Sequence, residues 1–366
     1  MLEFDSFGRY KPLYVDGSLV YAYKSHKLYL CNYLSGKVFT EICTLPMKPI
    51  LRTLTHFRVF ERLFRTEPRA AYLSIEKKLS LSYCGSIYEI GINNNSLKKV
   101  HTFRKGMNNP LSFCEIKNIK GFDDCLAYGE YWGNIKREPV AIYTNNLISS
   151  AWEKVFEFPE NSILHIHSIV PDKYNNRVLI LTGDKDNESG FWIASENFTK
   201  VEPLIVGQQS YRSCAAFPTI KGILFATDTP LEDNYIGLIE ESDKGFKINR
   251  LFPMEGPCIN YSMISSWYCF ATSVEPDSNI KGIKYYLTNK RGKGVKSNYC
   301  TLIIGNLEDG FKEITRIKKD ILPTALFQFG NICFPASVGT DQLIIYPQSV
   351  DIHDGKMLIA NLNQLR

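Results

Sequence analysis

The sequence has no apolar run near the roughly 18 to 20 residues that a membrane-crossing helix needs. Its first residues, MLEFDSFGRYKPLY, lack the basic start, apolar core and small-residue cleavage site of a secretory leader. Ten cysteines are present, but none falls in a Cys-x-x-Cys pair. Cys84, Cys125, Cys214, Cys269, Cys300 and Cys333 all fall inside strands expected from the pattern, which points to reduced buried thiols rather than a disulfide framework. These absences exclude membrane insertion and a disulfide-stapled scaffold, and set the expectation of a cytoplasmic protein. No Pro/Gly/Ser-rich linker interrupts the chain, so residues 1–366 read as a single domain. A net charge of only +5 gives no general basic surface, which disfavours nucleic acid as a partner. One stretch departs from this balance. Lys281, Lys284, Lys290, Arg291, Lys293 and Lys296 fall within residues 280–299 with no acid among them, either as a solvated mobile loop or as a footprint for an anionic partner.

What the sequence does have is a repeat. Seven times an apolar strand runs into a short Asn/Ser/Gly/Asp turn and a second strand, beginning near Leu28, Ile87, Val140, Phe191, Tyr235, Cys300 and Met357. The intervals, about 44 to 65 residues, are those of one supersecondary unit repeated. Hydrophobic residues at 44% and aromatics at 13% suffice to fill the interfaces between sheets. The expected fold is all-β: a seven-bladed β-propeller of four-stranded antiparallel blades, with six blades as the alternative.

Period-2 alternation assigns strands within blades. Blade 4 reads as LHIHSIV, RVLILTG, FWIASE and KVEPLI; blade 5 as RSCAAFP, GILFATD, YIGLIEE and FKINRLF; blade 3 as LSFCEIK, DCLAYGEY, VAIYTN and WEKVFEF. Antiparallel order sends first-to-second and third-to-fourth turns to one face of the ring, where they are short. The remaining connections share the other face and include the long segments 45–68, 132–138, 185–190, 229–234, 276–298 and 347–355. Long loops on a rigid scaffold are where function concentrates, so this face is the expected site.

Strand ends on that face supply the candidates: Glu130, Tyr131, Trp132 and Asn134 in GEYWGN, Asp184 in LTGD, Asp228 in ATDTP and Glu275 in SVEP. Innermost strands add Arg69, His165, His167, Tyr211, Arg212 and Tyr261. His165 and His167 lie two apart on a strand, so both imidazoles face one side. Three readings stay open for them: hydrogen bonds between blades, a general acid or base near neutrality, or a metal pair completed by a carboxylate such as Asp184 or Asp228. Arg212 is suited either to clamp a carboxylate or phosphate or to pair with a neighbouring acid. Arg62, Arg65 and Arg69 could add positive potential. Exposed aromatics at the mouth would offer flat faces to sugar rings.

GEYWGN, HIHSIVPDKYNN, LTGDKDNESGFW, QSYRS, ATDTP and KKDILPTALFQFGNICFP, over about residues 125–345, resemble the sialidase-like, bacterial-neuraminidase-repeat propellers that accompany polysaccharide metabolism. The resemblance implies a polysaccharide-type substrate, so an acidic oligo- or polysaccharide is the expected partner; no cofactor is expected, with a divalent metal at His165 and His167 as the alternative. The chain departs from it where Thr144 to Trp152 and Ser195 to Val201 keep only the outline of the Asp-box turn, and where FRVF at residues 57–60 lacks the proline of the sialidase arginine strand. Two enzymatic expectations follow. One is β-elimination, with Arg212 or Arg69 on a uronate carboxylate, His167 or Tyr211 as base, and Tyr131 or His165 as acid. The other is hydrolysis by a carboxylate pair drawn from Glu130, Asp184, Asp228 and Glu275. A noncatalytic ring that binds glycan or protein is the alternative.

Overall fold

The computed structural model describes residues 2–147, 151–243 and 245–365. Each of the seven repeat copies is the third strand of a blade. Blade 4 is representative, with His165–Asp172, Arg177–Gly183, Gly190–Ser195 and Lys200–Val206 hydrogen-bonded in that order. Its second strand is buried on both faces, which is why RVLILTG is continuously apolar instead of alternating. The outermost strand, KVEPLIV, faces solvent and alternates. Blades 1, 2, 3, 5 and 6 repeat this order, blade 1 with a short fifth strand, Ala336–Val338, added in parallel to its innermost strand. Blade 7 takes Asn331–Cys333, Gln342–Gln348 and Leu358–Asn361 from the C-terminal segment and its outermost strand, Asp5–Ser6, from the N-terminal one. Pairing of the two chain ends closes the ring, so seven blades form and not six.

Side-chain burial follows the ring. Each junction between neighbouring blades carries its own apolar cluster, for example Leu179, Leu181 and Phe191 of blade 4 against Ala216, Phe225 and Ile239 of blade 5. Burying such surface is the main favourable contribution to folding.

The long-loop face holds two departures from the sequence reading. Segment 45–68 contains two helices, Pro49–Leu54 and Arg58–Phe64, so FRVF is helical and the comparison with a sialidase arginine strand does not hold. Phe57, Phe60 and Phe64 recur at helical spacing, and a local β-like run loses to that period. Second, Cys84 is not in a strand. With Gly85 it forms the two-residue hairpin turn after Lys78–Tyr83, both residues at positive φ, and it is exposed. Blades 1 and 2 thus have tight turns where blades 3 to 7 have loops, and the helical segment lies over that side. All ten cysteines are free. The Lys-rich segment is not wholly irregular, since it contains a short helix, Ile283–Leu287, and a bridge between Pro276 and Arg291. Residues 148–150 of the blade 3 turn and Lys244 of the blade 5 turn lie outside the described residues. No described helix is long and apolar enough to cross a membrane.

The helix Arg58–Phe64 is fastened across the mouth by charge. Arg62 reaches Asp320 at 2.5 Å and the Phe327 carbonyl at 2.9 Å, while Arg58 bonds Glu67 at 2.6 Å and Glu61 at 2.9 Å. Glu67 also accepts from the Tyr346 hydroxyl and the Gln348 amide. The two carboxylates compete for one guanidinium. Against the cost of its burial, Arg58 and then Lys11 hold Glu67 down at about 2, whereas burial and then Glu67 push Glu61 up to about 7.

Two predictions follow from this architecture. Phe225→Ala should cost about 3–5 kcal/mol in urea unfolding, and a loss under 1 kcal/mol would contradict the interblade packing. Glu61 keeps a proton in the folded chain that the unfolded chain releases near 4.5, so the stability it confers at low pH is lost as pH rises through about 7. Glu61→Gln should therefore gain on the order of 1–3 kcal/mol over the parent at pH 8 and little at pH 5; an equal effect at both pH values would contradict the assignment.

Candidate functional site

The site forms where blades 3, 4 and 5 meet on the long-loop face. His165 and His167 come from the innermost strand of blade 4. That strand carries a β-bulge. Ile166 pairs with Thr182 and Ser168 with Leu181, leaving His167 as the extra residue. A bulge re-aims its side chain, and here it turns the His167 imidazole toward blade 5. The same irregularity recurs at the matching position of blade 5, where Cys214 is the extra residue.

Each imidazole is tethered to a neighbouring blade through Nδ1. His165 Nδ1 donates to the Trp132 carbonyl of blade 3 at 2.8 Å, and His167 Nδ1 to the Ser213 carbonyl of blade 5 at 3.0 Å. A carbonyl only accepts, so each partner fixes the proton on Nδ1 and leaves Nε2 with a bare lone pair. The two Nε2 atoms face each other at 3.0 Å. Asp184 Oδ1 stands 3.5 Å from one and 3.3 Å from the other. Three acceptor atoms thus converge, with Arg212 donating to Asp184 Oδ1 alone, and between the two imidazoles the arrangement is suited to a shared positive centre, either one proton or one metal ion. A cation bonded to nitrogen at about 2.0–2.1 Å sets neighbouring ligand atoms roughly 3.0 Å apart at right angles and roughly 3.4 Å apart at the tetrahedral angle. The observed triangle spans that range, so His165, His167 and Asp184 form a group able to hold a metal. His167, Cys214 and Asp228 also lie close together, but burial and then Asp228 push the Cys214 thiol well above its ordinary value, which opposes the thiolate a metal would need.

Asp184 is further held by Arg212, whose guanidinium lies 2.8 Å from Oδ1, and its carbonyl accepts from the Gln209 amide at 2.9 Å. Burial would raise its carboxyl, but Arg212 and then His165 hold it well below the usual carboxylate range. Asp228 behaves oppositely. Burial raises it well above its ordinary value, with Glu275 and Asp184 adding to this and Arg212, 3.6 Å away, opposing. Burial also lowers His167 and raises Glu275. Gly183 makes the packing possible, since a Cβ there would stand 2.7 Å from His167 Cε1 and 3.1 Å from Arg212 Cγ.

Tyr131 of blade 3 packs its ring 4.4 Å from that of His165, and Arg69 of blade 2 stacks over Tyr131 at 5.1 Å. Arg69 is exposed and has no ion pair or side-chain hydrogen bond among the described residues. Tyr285, from the short helix of the Lys-rich loop, joins this rim. Burial raises its hydroxyl, Glu275, Tyr286 and Asp184 add to the rise, and Arg65 opposes it.

Other candidates lie apart from this group. Glu130 accepts from Arg104 and from the Ala141 backbone, both at 2.8 Å, on the side of its strand opposite Tyr131, so the expected common opening does not include its carboxylate. Trp132 contributes its carbonyl, while its ring lies under Arg104 and packs between blades. Asn134 bonds Glu138 and Leu164 and shapes its own loop. Tyr211 sits on the 3-10 turn Gln209–Tyr211 and turns outward to Phe246 of the outermost strand. Tyr261 bonds the Ser168 hydroxyl at 2.8 Å, one step along the innermost strand from His167. Glu275 accepts from Ser273 at 2.7 Å within range of the Arg212 charge. Gln209, Cys214 and Tyr285 were not among the expected residues. In the sequence Cys214 was expected only as a buried strand thiol, and Tyr285 fell within the long segment 276–298.

No protein-family model and no curated protein matches the sequence. Among solved structures, an oligogalacturonate lyase in complex with manganese superposes with a TM-score of 0.58 at 11% identity over 98% of this chain and 90% of that one. An oligogalacturonate lyase from Vibrio parahaemolyticus gives 0.56 at 9%, covering 99% and 97%, and a virginiamycin B lyase from Staphylococcus aureus 0.53 at 11%, covering 99% of each. Likeness at this identity establishes the seven-bladed propeller. It does not show a sialidase-repeat family.

If the three acceptors hold a cation, titration calorimetry with Mn(II) or Zn(II) should find one site per chain in the parent. Gly183→Ala, which pushes His167 and Arg212 out of register, should weaken it tenfold or more. Equal affinity in the variant would contradict this geometry.

Proposed function

We propose that the mouth binds a divalent cation together with the carboxylate of an acidic oligosaccharide, and cleaves the chain by β-elimination. The observation that carries this reading is the convergence of His165 Nε2, His167 Nε2 and Asp184 Oδ1 beside Arg69, a guanidinium without an acidic partner among the described residues. Elimination from a uronate needs the carboxylate neutralised so that the neighbouring carbon becomes acidic. A cation held by His165, His167 and Asp184 would supply positive charge for that purpose. Arg69, presented on the Tyr131 ring, would clamp the carboxylate, since a guanidinium matches its two oxygens. Arg212 keeps Asp184 ionised and fixed in place. Tyr131 and Tyr285, whose hydroxyls stay protonated, would border the sugar and can donate hydrogen bonds to its oxygens. A solved propeller described as an oligogalacturonate lyase in complex with manganese supports the reading in kind.

Hydrolysis has one observation in its favour, the opposite shifts of Asp184 and Asp228 around Arg212, which is how acid and base roles are divided between two carboxyls. Asp228 is 2% exposed, too enclosed to pass a proton to a glycosidic oxygen, so elimination is preferred. Elimination takes the proton from the carbon beside the carboxylate, forms the double bond as the C–O bond breaks, and returns a proton to the departing oxygen, which the Tyr131 hydroxyl would supply. Without a cation His167 Nε2 would accept the first proton; with a cation on that lone pair, solvent water at the open mouth would accept it, so the two uses of the lone pair exclude each other.

The test is incubation of chelator-treated protein with a panel of acidic and neutral oligosaccharides, with and without added Mn(II), following absorbance near 235 nm and reducing ends. New absorbance on acidic substrates, dependent on the cation, is expected. Reducing ends without absorbance would show hydrolysis, and activity indifferent to the metal would return the base role to His167. Binding without turnover would favour the noncatalytic ring. Arg69→Ala should raise KM for an acidic oligosaccharide by about 10–100-fold, the range of a lost charge-assisted hydrogen bond, while metal content is unchanged. An unaltered KM would remove Arg69 from the site.

A further inference from the structure

Beside the site, the long-loop face carries a second feature that the catalytic reading, Tyr285 apart, does not use. The helices Pro49–Leu54 and Arg58–Phe64 and the short helix Ile283–Leu287 form a raised lid over blades 6, 7, 1 and 2. The pieces are tied together. Arg65 bonds the Ala325 carbonyl, Asn289 the Ile321 carbonyl, and Tyr285 and Tyr286 lie within electrostatic range of Arg65. Their outward side is apolar: Ile50 is 70% exposed and Ile283 75%, with Phe57, Phe64, Tyr286 and Leu287 also exposed. On the opposite face of the ring the exposed apolar residues sit on turns and not on helices: Ile75 and Ile220 singly, and Leu34 and Val38 on one turn of blade 1. Exposed apolar residues gathered on neighbouring helices of a folded chain mark a contact.

Its charge says what kind of contact. The exposed charged residues between 45 and 66 and between 279 and 298 are all cationic, because Glu61 is buried and the second segment has no acid. Lys48, Arg52, Lys281 and Lys284 are exposed on these segments and have no ion pair among the described residues. We infer that this lid is a docking surface for an anionic lipid bilayer, with Phe57, Phe64, Ile283 and Leu287 entering the headgroup boundary and the lysines and Arg52 meeting lipid phosphates. Apolar anchors ringed by cations are what such a boundary selects, since the acyl region takes up the former and the negative surface potential attracts the latter. A second copy of the chain fits less well, as it would bring like charges together and bury lysines that protein interfaces exclude. A polyanion in solution would satisfy the cations and leave the anchors in water. The inference stands apart from the carbohydrate reading and does not need it.

The test is co-sedimentation of the full chain with vesicles of phosphatidylcholine alone or with about a third phosphatidylglycerol, at low and physiological salt. Binding is expected to the anionic vesicles only. It should fall at least tenfold in the Phe57→Ser, Phe64→Ser double variant and, separately, in Lys281→Glu, Lys284→Glu, each with the parent's unfolding midpoint and metal affinity. No binding to anionic vesicles would overturn the proposal, as would binding that either variant leaves intact. Sedimentation velocity showing a dimer that the phenylalanine variant dissociates would assign the lid to self-association, and salt-sensitive capture of a polyanion unaffected by that variant would reduce it to a charged patch.

Discussion

Two imidazoles held by the carbonyls of two neighbouring blades are the constraint on which the site depends. Because Trp132 and Ser213 offer only acceptors, they fix both protons on Nδ1 and turn two unshared lone pairs toward each other at 3.0 Å. Such a contact is repulsive unless something positive stands between or beside the pair. Arg212 cannot fill that role. It is committed to Asp184, whose carboxylate it keeps ionised as the third acceptor. The triangle is therefore organised to take up a positive charge, either a proton or a metal ion, among its three acceptors.

The propeller makes this arrangement rigid. His165 and His167 do not sit on a loop but on an innermost strand, flanked by second strands buried on both faces and by an apolar cluster at each junction. Moving either imidazole means moving a blade. The carboxyls grade accordingly: Arg212 holds Asp184 at the rim well below its ordinary value, while burial pushes Asp228, further in, well above it. On the far side of the mouth, Arg58 and Arg62 pin the lid helix to blade 7 and to the segment leading into it, through Glu67, Asp354 and Asp320. Cationic side chains thus perform two separate jobs on one face, fastening the cover and framing the acceptor triangle.

Much of this could be read from the sequence, for identifiable reasons. Third strands are apolar, end in turn residues and recur, so ring and faces were legible, including which long loops share the site. Asp184, Arg212, Tyr131 and the two histidines were placed together because strand ends around a channel must converge. Individual orientation was not legible. Glu130 and Tyr131 are adjacent on one strand end and must face opposite ways, yet nothing local says which turns inward; the Arg104 and Ala141 partners of Glu130 settle it. Tyr211 turns outward because a 3-10 turn intervenes before the strand. The bulge at His167 left no residue signature at all, though it is what brings Nε2 to Nε2. FRVF reads as a strand by composition and folds as a helix because its phenylalanines share a helical face with Phe64.

Crystals grown with Mn(II) and measured at an energy where manganese scatters anomalously would test the central claim most directly. The account predicts one anomalous peak within about 2.0–2.3 Å of His165 Nε2, His167 Nε2 and Asp184 Oδ1, with both Nδ1 hydrogen bonds kept. An empty triangle, with one imidazole rotated so that a proton bridges the pair, would contradict it.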